Sequence, residues 1–193
     1  MNTFLKSSSK ATQTYSFMTP EKNPDSLVLT VLVPVRNEGV NIKIMMKVLN
    51  GVIDVPHEVL FVYDHPEDNS IEVANQLKNE FPNIHLIHNQ LGVGPVNALK
   101  VGVNSAKGEY ILVFAADEVG PVLAIENMLD LMNEGCDLVS CTRYAHGGRR
   151  LGGSKVGHAL SWLANKMFRY LFNSALSDCT TGLKMFRKSL FKE

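Results

Sequence analysis

Residues 28–34 read Val-Leu-Thr-Val-Leu-Val-Pro, an apolar and β-branched run closed by a proline. Such a run, short and apolar throughout, fits a strand buried on both faces. Behind it comes the polar turn Arg36-Asn37-Glu38-Gly39, and then Ile42, Met45 and Leu49 at helical spacing, with Asn50-Gly51 as the expected stop. Working outward, the same strand-then-helix unit repeats. Strands are expected at 58–63, 84–88, 110–114 and 137–141. Helices are expected around Ile71, Ala74, Leu77 and Phe81, around Val96, Leu99, Val103 and Ala106, and around Ile125, Met128, Leu129 and Met132. About five strands alternating with helices predict an α/β fold whose mainly parallel sheet is flanked by helices on both faces.

Ligands of such sheets bind beyond the carboxyl ends of the strands, which directs attention to loops 34–39, 63–70, 89–95 and 115–121. These loops are rich in acids: Glu38, then Asp64, Glu67 and Asp68, then Asp117 and Glu118. Carboxylates gathered there can hold a hard divalent cation or accept hydrogen bonds from a base and ribose, and they also serve as solvated turn residues or helix caps. Asp68 before Asn69-Ser70 suits a cap. Asp117 directly follows the run Tyr-Ile-Leu-Val-Phe-Ala-Ala, which puts it at the tip of a central strand and makes it the better ligand candidate. One such carboxylate is enough for Mg²⁺, which keeps waters and takes oxygens from a bound diphosphate.

Composition removes several functions. Nineteen Lys and Arg balance nineteen Asp and Glu, so the broad basic field of a nucleic-acid binder is missing. Three cysteines with no C-x-x-C pair argue against a disulfide framework or zinc knuckle and suit a reducing, cytoplasmic compartment. No run reaches the roughly 18 to 20 apolar residues that cross a bilayer. The polar residues 1–24 read as a mobile leader, and the rest of the 193 residues as a single domain, 25–193. Gly92-Val93-Gly94-Pro95 follows the third strand rather than the first and has Asn97 where a dinucleotide fingerprint needs glycine, so it reads as a turn opening a helix at a proline.

Downstream, Arg143 leads into Gly147-Gly148-Arg149-Arg150, a glycine-rich, arginine-bearing stretch able to wrap an anion or to remain a solvated loop. The next helix carries the apolar stripe Val156, Leu160, Leu163, Met167 and Leu171, with Lys155, His158, Lys166 and Arg169 opposite and Trp162 among them. Such a polar face suits contact with anionic lipid headgroups, and equally a solvated surface with one packed Trp.

Five segments in order resemble one family: Val33-Pro34-Val35-Arg36-Asn37-Glu38, Val62 to Asp68, Phe114-Ala115-Ala116-Asp117, Thr142-Arg143-Tyr144 with Gly147-Gly148, and Asp178-Cys179-Thr180-Thr181-Gly182-Leu183-Lys184. Together they are similar to family 2 glycosyltransferases of the Rossmann-like GT-A fold, closest to the polyprenyl-phosphate glycosyltransferases, the dolichyl-phosphate mannose synthases among them. The resemblance covers residue 27 to the end. It implies an inverting transfer from a nucleotide-sugar donor, GDP- or UDP-linked, to a polyprenyl phosphate, with Mg²⁺ or Mn²⁺ and peripheral contact at the cytoplasmic membrane face. It implies donor binding by Pro34, Arg36, Glu38, Asp64 and Asp117, with Asp117 also metal-facing and catalytic. It also implies catalytic roles for Arg143 and Asp178, and acceptor binding by Arg143, Ser161, Thr181 and Lys184.

The departures from that pattern are specific. Ala115 stands where the family has the first acid of Asp-x-Asp, and Val119 where a further metal ligand often follows, so metal binding is expected to lean on the diphosphate itself. Tyr63 replaces the first Asp of Asp-Asp-Gly-Ser. Gly157 replaces a second acceptor arginine, with Arg149 and Lys155 as the expected substitutes. The chain stops at Lys192-Glu193, where relatives continue, and a chain lacking a C-terminal extension is expected. Two other readings stay open. One is a non-catalytic GT-A module binding a nucleotide or partner; the other, disfavoured because no Gly-rich, Lys-bearing loop follows the first strand, is a nucleotidyltransferase.

Overall fold

The computed structural model describes residues 27–118, 120–145, 154–174 and 176–191. The leader expected over 1–24 lies outside them. The opening run forms β1 (Leu29–Val35), and residues Leu29 to Val33 are wholly buried, as their apolar character on both faces requires. β1 pairs in parallel with β2 (His57–Tyr63) on one side and β4 (Tyr110–Val113) on the other, and β3 (Ile84–His88) pairs in parallel with β2.

The alternation of strand side chains sorts the core into two layers. Leu29, Val31, Val33 and Val35 pack with α1 (Gly39–Val52), α2 (Asn69–Leu77) and α4 (Ile125–Asn133). Leu32, Leu60 and Val62 face the other way, toward α3 (Pro95–Ser105). A Cβ on Gly102 of α3 would stand 2.1 Å from Leu32 Cδ1, so the helix reaches this depth only with glycine there. Each large apolar side chain fully buried in these layers stabilises the fold by roughly 1.5–3 kcal/mol.

Two helix ends differ from the sequence reading. α1 runs through Asn50-Gly51 to Val52, because Val52 and the buried Ile53 continue its apolar face and packing overrides the weak local stop. α2 ends at Leu77; Phe81 is buried from the following turn, where its N–H donates to the Leu77 carbonyl at 2.8 Å. Periodic burial there outlasts the helix.

Among the described residues the sheet has six strands, in the order β3-β2-β1-β4-β6-β5. The additional strand, β6 (Lys184–Arg187), lies antiparallel between β4 and β5 (Leu138–Ser140). Its Lys-Met-Phe-Arg sequence carries only two apolar residues between cations, too short a signal for a strand. All other pairings among the first four strands are parallel, as expected.

α5 (Lys155–Phe172) lies beside this second half, capped by Ser154, whose side chain accepts from the Gly157 N–H, and closed by Asn173 in the left-handed conformation. Its apolar stripe faces outward: Val156 is 70% exposed, Leu160 61% and Leu171 65%. The helix turns Asn165 inward instead, the only buried residue among the described side chains of α5. Among the described residues no helix is long and apolar enough to cross a membrane.

Candidate functional site

The carboxyl edge of the sheet carries a cleft of ≈ 250 Å³ lined by Pro34, Arg36 and Glu38 from the end of β1, Val62 and Asp64 from β2, and Val93 to Pro95 from the start of α3. Four of the five expected donor residues, Pro34, Arg36, Glu38 and Asp64, are thereby brought together, while Asp117 is not in the lining. Asp64 also has a structural task. Its Oδ1 accepts from Asn89 Nδ2 at 2.6 Å and its Oδ2 from the Gly94 N–H at 3.0 Å. Asn89, buried, bonds the Gly92 carbonyl and the Leu91 N–H in turn, so one carboxylate and one amide fix the whole 89–94 turn that forms the far wall. Gly92 and Gly94 have φ of 101° and 133°, a backbone that glycine alone adopts at no cost. Glu38 accepts from Asn41 Nδ2 at 2.7 Å through Oε2.

Asp117 sits in the turn after β4, exposed, beside that cleft's strand: Phe114 N–H donates to the Leu32 carbonyl, which ties the end of β4 to β1. Among the described residues it has neither a hydrogen-bond nor an ion-pair partner, and no three His, Cys, Asp or Glu side chains stand close enough to enclose a metal ion. A lone, exposed carboxylate of this kind fits a hard cation that takes its other oxygens from a ligand and water. Val119 lies outside the described residues.

The residues expected on the acceptor side meet in a polar knot on the same edge, where β5 ends and β6 begins, with Asp178 and Asn165 buried at its centre. Asp178 is 1% exposed. Its Oδ2 accepts from Arg143 Nε at 2.7 Å and the Arg143 N–H at 3.2 Å, while Oδ1 accepts from Arg143 Nη2 at 3.0 Å. Oδ1 also takes the Thr180 N–H and hydroxyl and Asn165 Nδ2. Burial alone pushes the Asp178 carboxyl upward, but the Arg143 and Thr180 hydrogen bonds outweigh it and hold the group well below the usual carboxylate range. The carboxylate is thus a committed acceptor with no lone pair left to act as a base, and its effect is to orient Arg143. The reciprocal bond raises the Arg143 guanidinium against the cost of its burial, and the charge of Glu118, from the β4 turn, adds to it.

Arg143 keeps donors in reserve. Nε and Nη2 are engaged with Asp178 and Thr180, which leaves the Nη1 pair of N–H groups for an anion. Ser161 Oγ stands 3.3 Å from Thr180 Oγ1, next to the knot. Lys184 Nζ donates to the Thr181 carbonyl, and burial pushes its ammonium below the ordinary lysine value while the Asp178 charge partly restores it. Arg149 lies outside the described residues, as does the side chain of Lys155.

Asn165 and Asn89 are the site residues that sequence reasoning missed. Asn165 Oδ1 accepts from the Cys179 N–H at 2.7 Å, and its Nδ2 reaches the Ser161 carbonyl and Thr180 Oγ1, so it pins the 178–180 turn to α5. Its place one helical turn beyond Ser161 is the signal available in sequence. A solvent-open groove of ≈ 730 Å³ runs along the same flank of α5, lined among others by Tyr144, Trp162, Lys166 and Arg169, with no acid in its walls. Lys166 Nζ lies 5.0 Å from the Trp162 ring centroid, a cation–π contact.

The model of Glycosyl transferase family 2 matches residues 30–193. Over 167 residues, 84% of this chain and 49% of the other, the chain is 26% identical to an undecaprenyl-phosphate 4-deoxy-4-formamido-L-arabinose transferase of Yersinia enterocolitica. Over 122 residues, 63% of this chain and 34% of the other, it is 25% identical to a dolichol-phosphate mannosyltransferase of Pyrococcus furiosus. The chain therefore spans about half the length, or less, of these relatives. Among solved structures, glucosyl-3-phosphoglycerate synthase of Mycobacterium tuberculosis, in complex with Mn²⁺, UDP and glucosyl-3-phosphoglycerate, superposes with a TM-score of 0.65 over 85% of this chain and 58% of that one at 15% identity, a likeness of fold.

Proposed function

The chain belongs to glycosyl transferase family 2, and on that premise we propose that it moves a sugar from a nucleotide-diphosphate sugar to a polyprenyl phosphate with inversion at the anomeric carbon. The observation that carries this reading is the meeting, on one edge of one sheet, of the Pro34–Arg36–Glu38–Asp64 cleft and the anion-seeking Arg143 knot. The cleft takes the nucleoside, GDP- or UDP-linked. Arg143, with Ser161, Thr181 and Lys184 around it and Arg149 and Lys155 nearby in sequence, takes the acceptor phosphate.

The acceptor phosphate is ionised at neutral pH, so one of its oxygens attacks the anomeric carbon without a strong general base, and the nucleoside diphosphate leaves from the opposite face. Asp178 contributes by holding the Arg143 guanidinium in one orientation, so that Nη1 meets the acceptor. Mg²⁺ or Mn²⁺ at Asp117 would neutralise the charge on the departing diphosphate. Relatives named for undecaprenyl and dolichol phosphate substrates, and a fold neighbour crystallised with Mn²⁺ and UDP, support the donor, acceptor and metal classes.

The outward stripe of α5 supports peripheral attachment at the cytoplasmic membrane face: apolar side chains with Lys166 and Trp162 alongside, and no acid on the helix. Vesicles of phosphatidylglycerol are expected to pull the chain down and vesicles of phosphatidylcholine to leave it in solution, and equal behaviour toward both would overturn the attachment.

Thermal-shift measurement against UDP, GDP and their sugar conjugates, each with and without Mn²⁺, tests the donor reading. One base is expected to raise the melting temperature in a metal-dependent way that Asp117→Asn removes. A flat response across the panel would favour the second reading, a non-catalytic GT-A module, whose motivation is Ala115 in the place of the family's first acid.

A further inference from the structure

We infer that Asp68, Asn69 and Ser70 form a clip that sets the shape of the donor-facing turn 36–38, with Asp68 as its positioning residue; the inference rests on the cleft being the donor site. Three consecutive backbone N–H groups at the start of α1 are taken by three consecutive side chains at the start of α2. The Asn37 N–H lies 3.1 Å and 3.0 Å from the two Asp68 carboxylate oxygens. The Glu38 N–H donates to Ser70 Oγ and the Gly39 N–H to Asn69 Oδ1, each at 2.9 Å.

Asn37 needs such a hold. Its φ of 58° is left-handed, which costs most non-glycine residues roughly 1–2 kcal/mol and asparagine less, and the charge-assisted bond to Asp68 offsets that cost. Asp68 is 8% exposed and Ser70 fully buried, so water does not compete for either acceptor. The fit is close: a Cβ on Gly39 would meet Asn69 Oδ1 at 2.9 Å and Val73 Cγ2 at 3.2 Å, so the two helix starts press together with only glycine between them.

The residues on either side of Asn37 are Arg36 and Glu38, both of which line the cleft. Their direction follows from the Asn37 backbone, so a carboxylate that touches no donor atom decides where two donor-binding side chains stand. A second consequence is that the N–H groups of residues 37–39 are already bonded, so this turn offers the donor side chains rather than a backbone cradle for its phosphates.

Asp68 also caps α2 through the Ser70 N–H at 2.8 Å, and the test must separate the two tasks. Asp68→Ser keeps a good cap residue but removes the two-oxygen reach to Asn37. With UDP or GDP and Mn²⁺, whichever the unaltered chain binds, Asp68→Ser is expected to weaken binding about tenfold, a loss of the size given by one charge-assisted bond. The donor KM should rise with kcat little changed, and the melting temperature should fall by about 3–6 °C, short of loss of the fold. Amide exchange should quicken about tenfold at 37–39 and not in β1 or β2. Binding within twofold of the unaltered chain, or unchanged exchange at 37–39, would overturn the clip. If the unaltered chain binds neither nucleotide, the donor reading fails by itself and exchange alone decides the clip. Ser70→Ala, which frees only the Glu38 N–H, reports the same geometry with an expected loss of about threefold if Asp68→Ser does not fold.

Discussion

The half of the sheet built on β1, β2 and β3 and the half carried by β5, β6 and α5 hold their functional side chains by different forces. In the first, every strand is covered by helices and the side chains of Leu29, Val31, Leu32, Val33 and Phe61 have no exposure. Its polar contacts, at Asp64 and Asp68, tune turns that the apolar core has already brought together. In the second, β5 is only three residues long, Leu138 is 38% exposed, and α5 leaves its large apolar side chains in solvent. What ties α5 to the sheet's edge is Asn165 and the Arg143–Asp178–Thr180 knot. The contrast teaches that one wall of a site, here the proposed donor cleft, can rest on hydrophobic burial, which is cooperative and global, while another, here the Arg143 knot, can rest on a polar latch, which is local and able to open by itself.

That contrast breaks first where it is most heavily loaded. Phe61→Ala, in the first half, should cost about 4 kcal/mol of global stability in urea unfolding, and nucleotide binding should vanish with the fold. Asp178→Asn should cost about 3 kcal/mol, since it replaces the buried carboxylate that holds the half-buried Arg143 guanidinium and the 178–180 turn, yet hydrogen exchange should locate the loss at 141–144 and 178–181 with β1 unchanged. Loss spread evenly over both halves would refute the division. The same pair predicts a pH dependence. The folded-state carboxyl of Asp178 titrates below its unfolded value, so its contribution is present above about pH 4 and is lost as pH falls further, a slope that Asp178→Asn should flatten.

Finer substitutions sharpen the comparison. Asn165→Ala should cost about 2 kcal/mol and loosen α5 against 178–180 while leaving the Tm of nucleotide-bound and free chains equally separated. The smallest effect is expected where an apolar residue is replaced outright: Leu163→Gln with Met167→Gln should change stability by no more than about 0.5 kcal/mol, because both side chains are about half exposed, and should abolish retention on phosphatidylglycerol vesicles.

How much of this was legible in the sequence follows the same division. The alternation from Val28 onward announces β1 to β4 and the helices between them because hydrophobic burial writes a period into the chain. The periodicity of α5 announces an amphipathic helix but not which side the rest of the protein receives, and here the 178–180 turn takes the side bearing Ser161 and Asn165. β6 escapes because Met185 and Phe186 are its only apolar residues. Arg143 and Asp178 are recognisable as motif residues, but their pairing, across 35 positions, is a tertiary fact with no local trace. The Asp68 carboxylate reads correctly as a helix cap and conceals its second use.

The placement of β6 between β4 and β5 has a consequence in time. A chain emerging from the ribosome completes β5 at Ser140 but has no neighbour to pair it with until residues 184–187 have appeared. At roughly 5–20 residues per second that delay lasts a few seconds, during which the outer edge of β4 stays open. The nascent chain thus carries an unpaired strand edge until its sheet can close, and the surroundings of that edge during synthesis, rather than the finished fold, set its risk of aggregation.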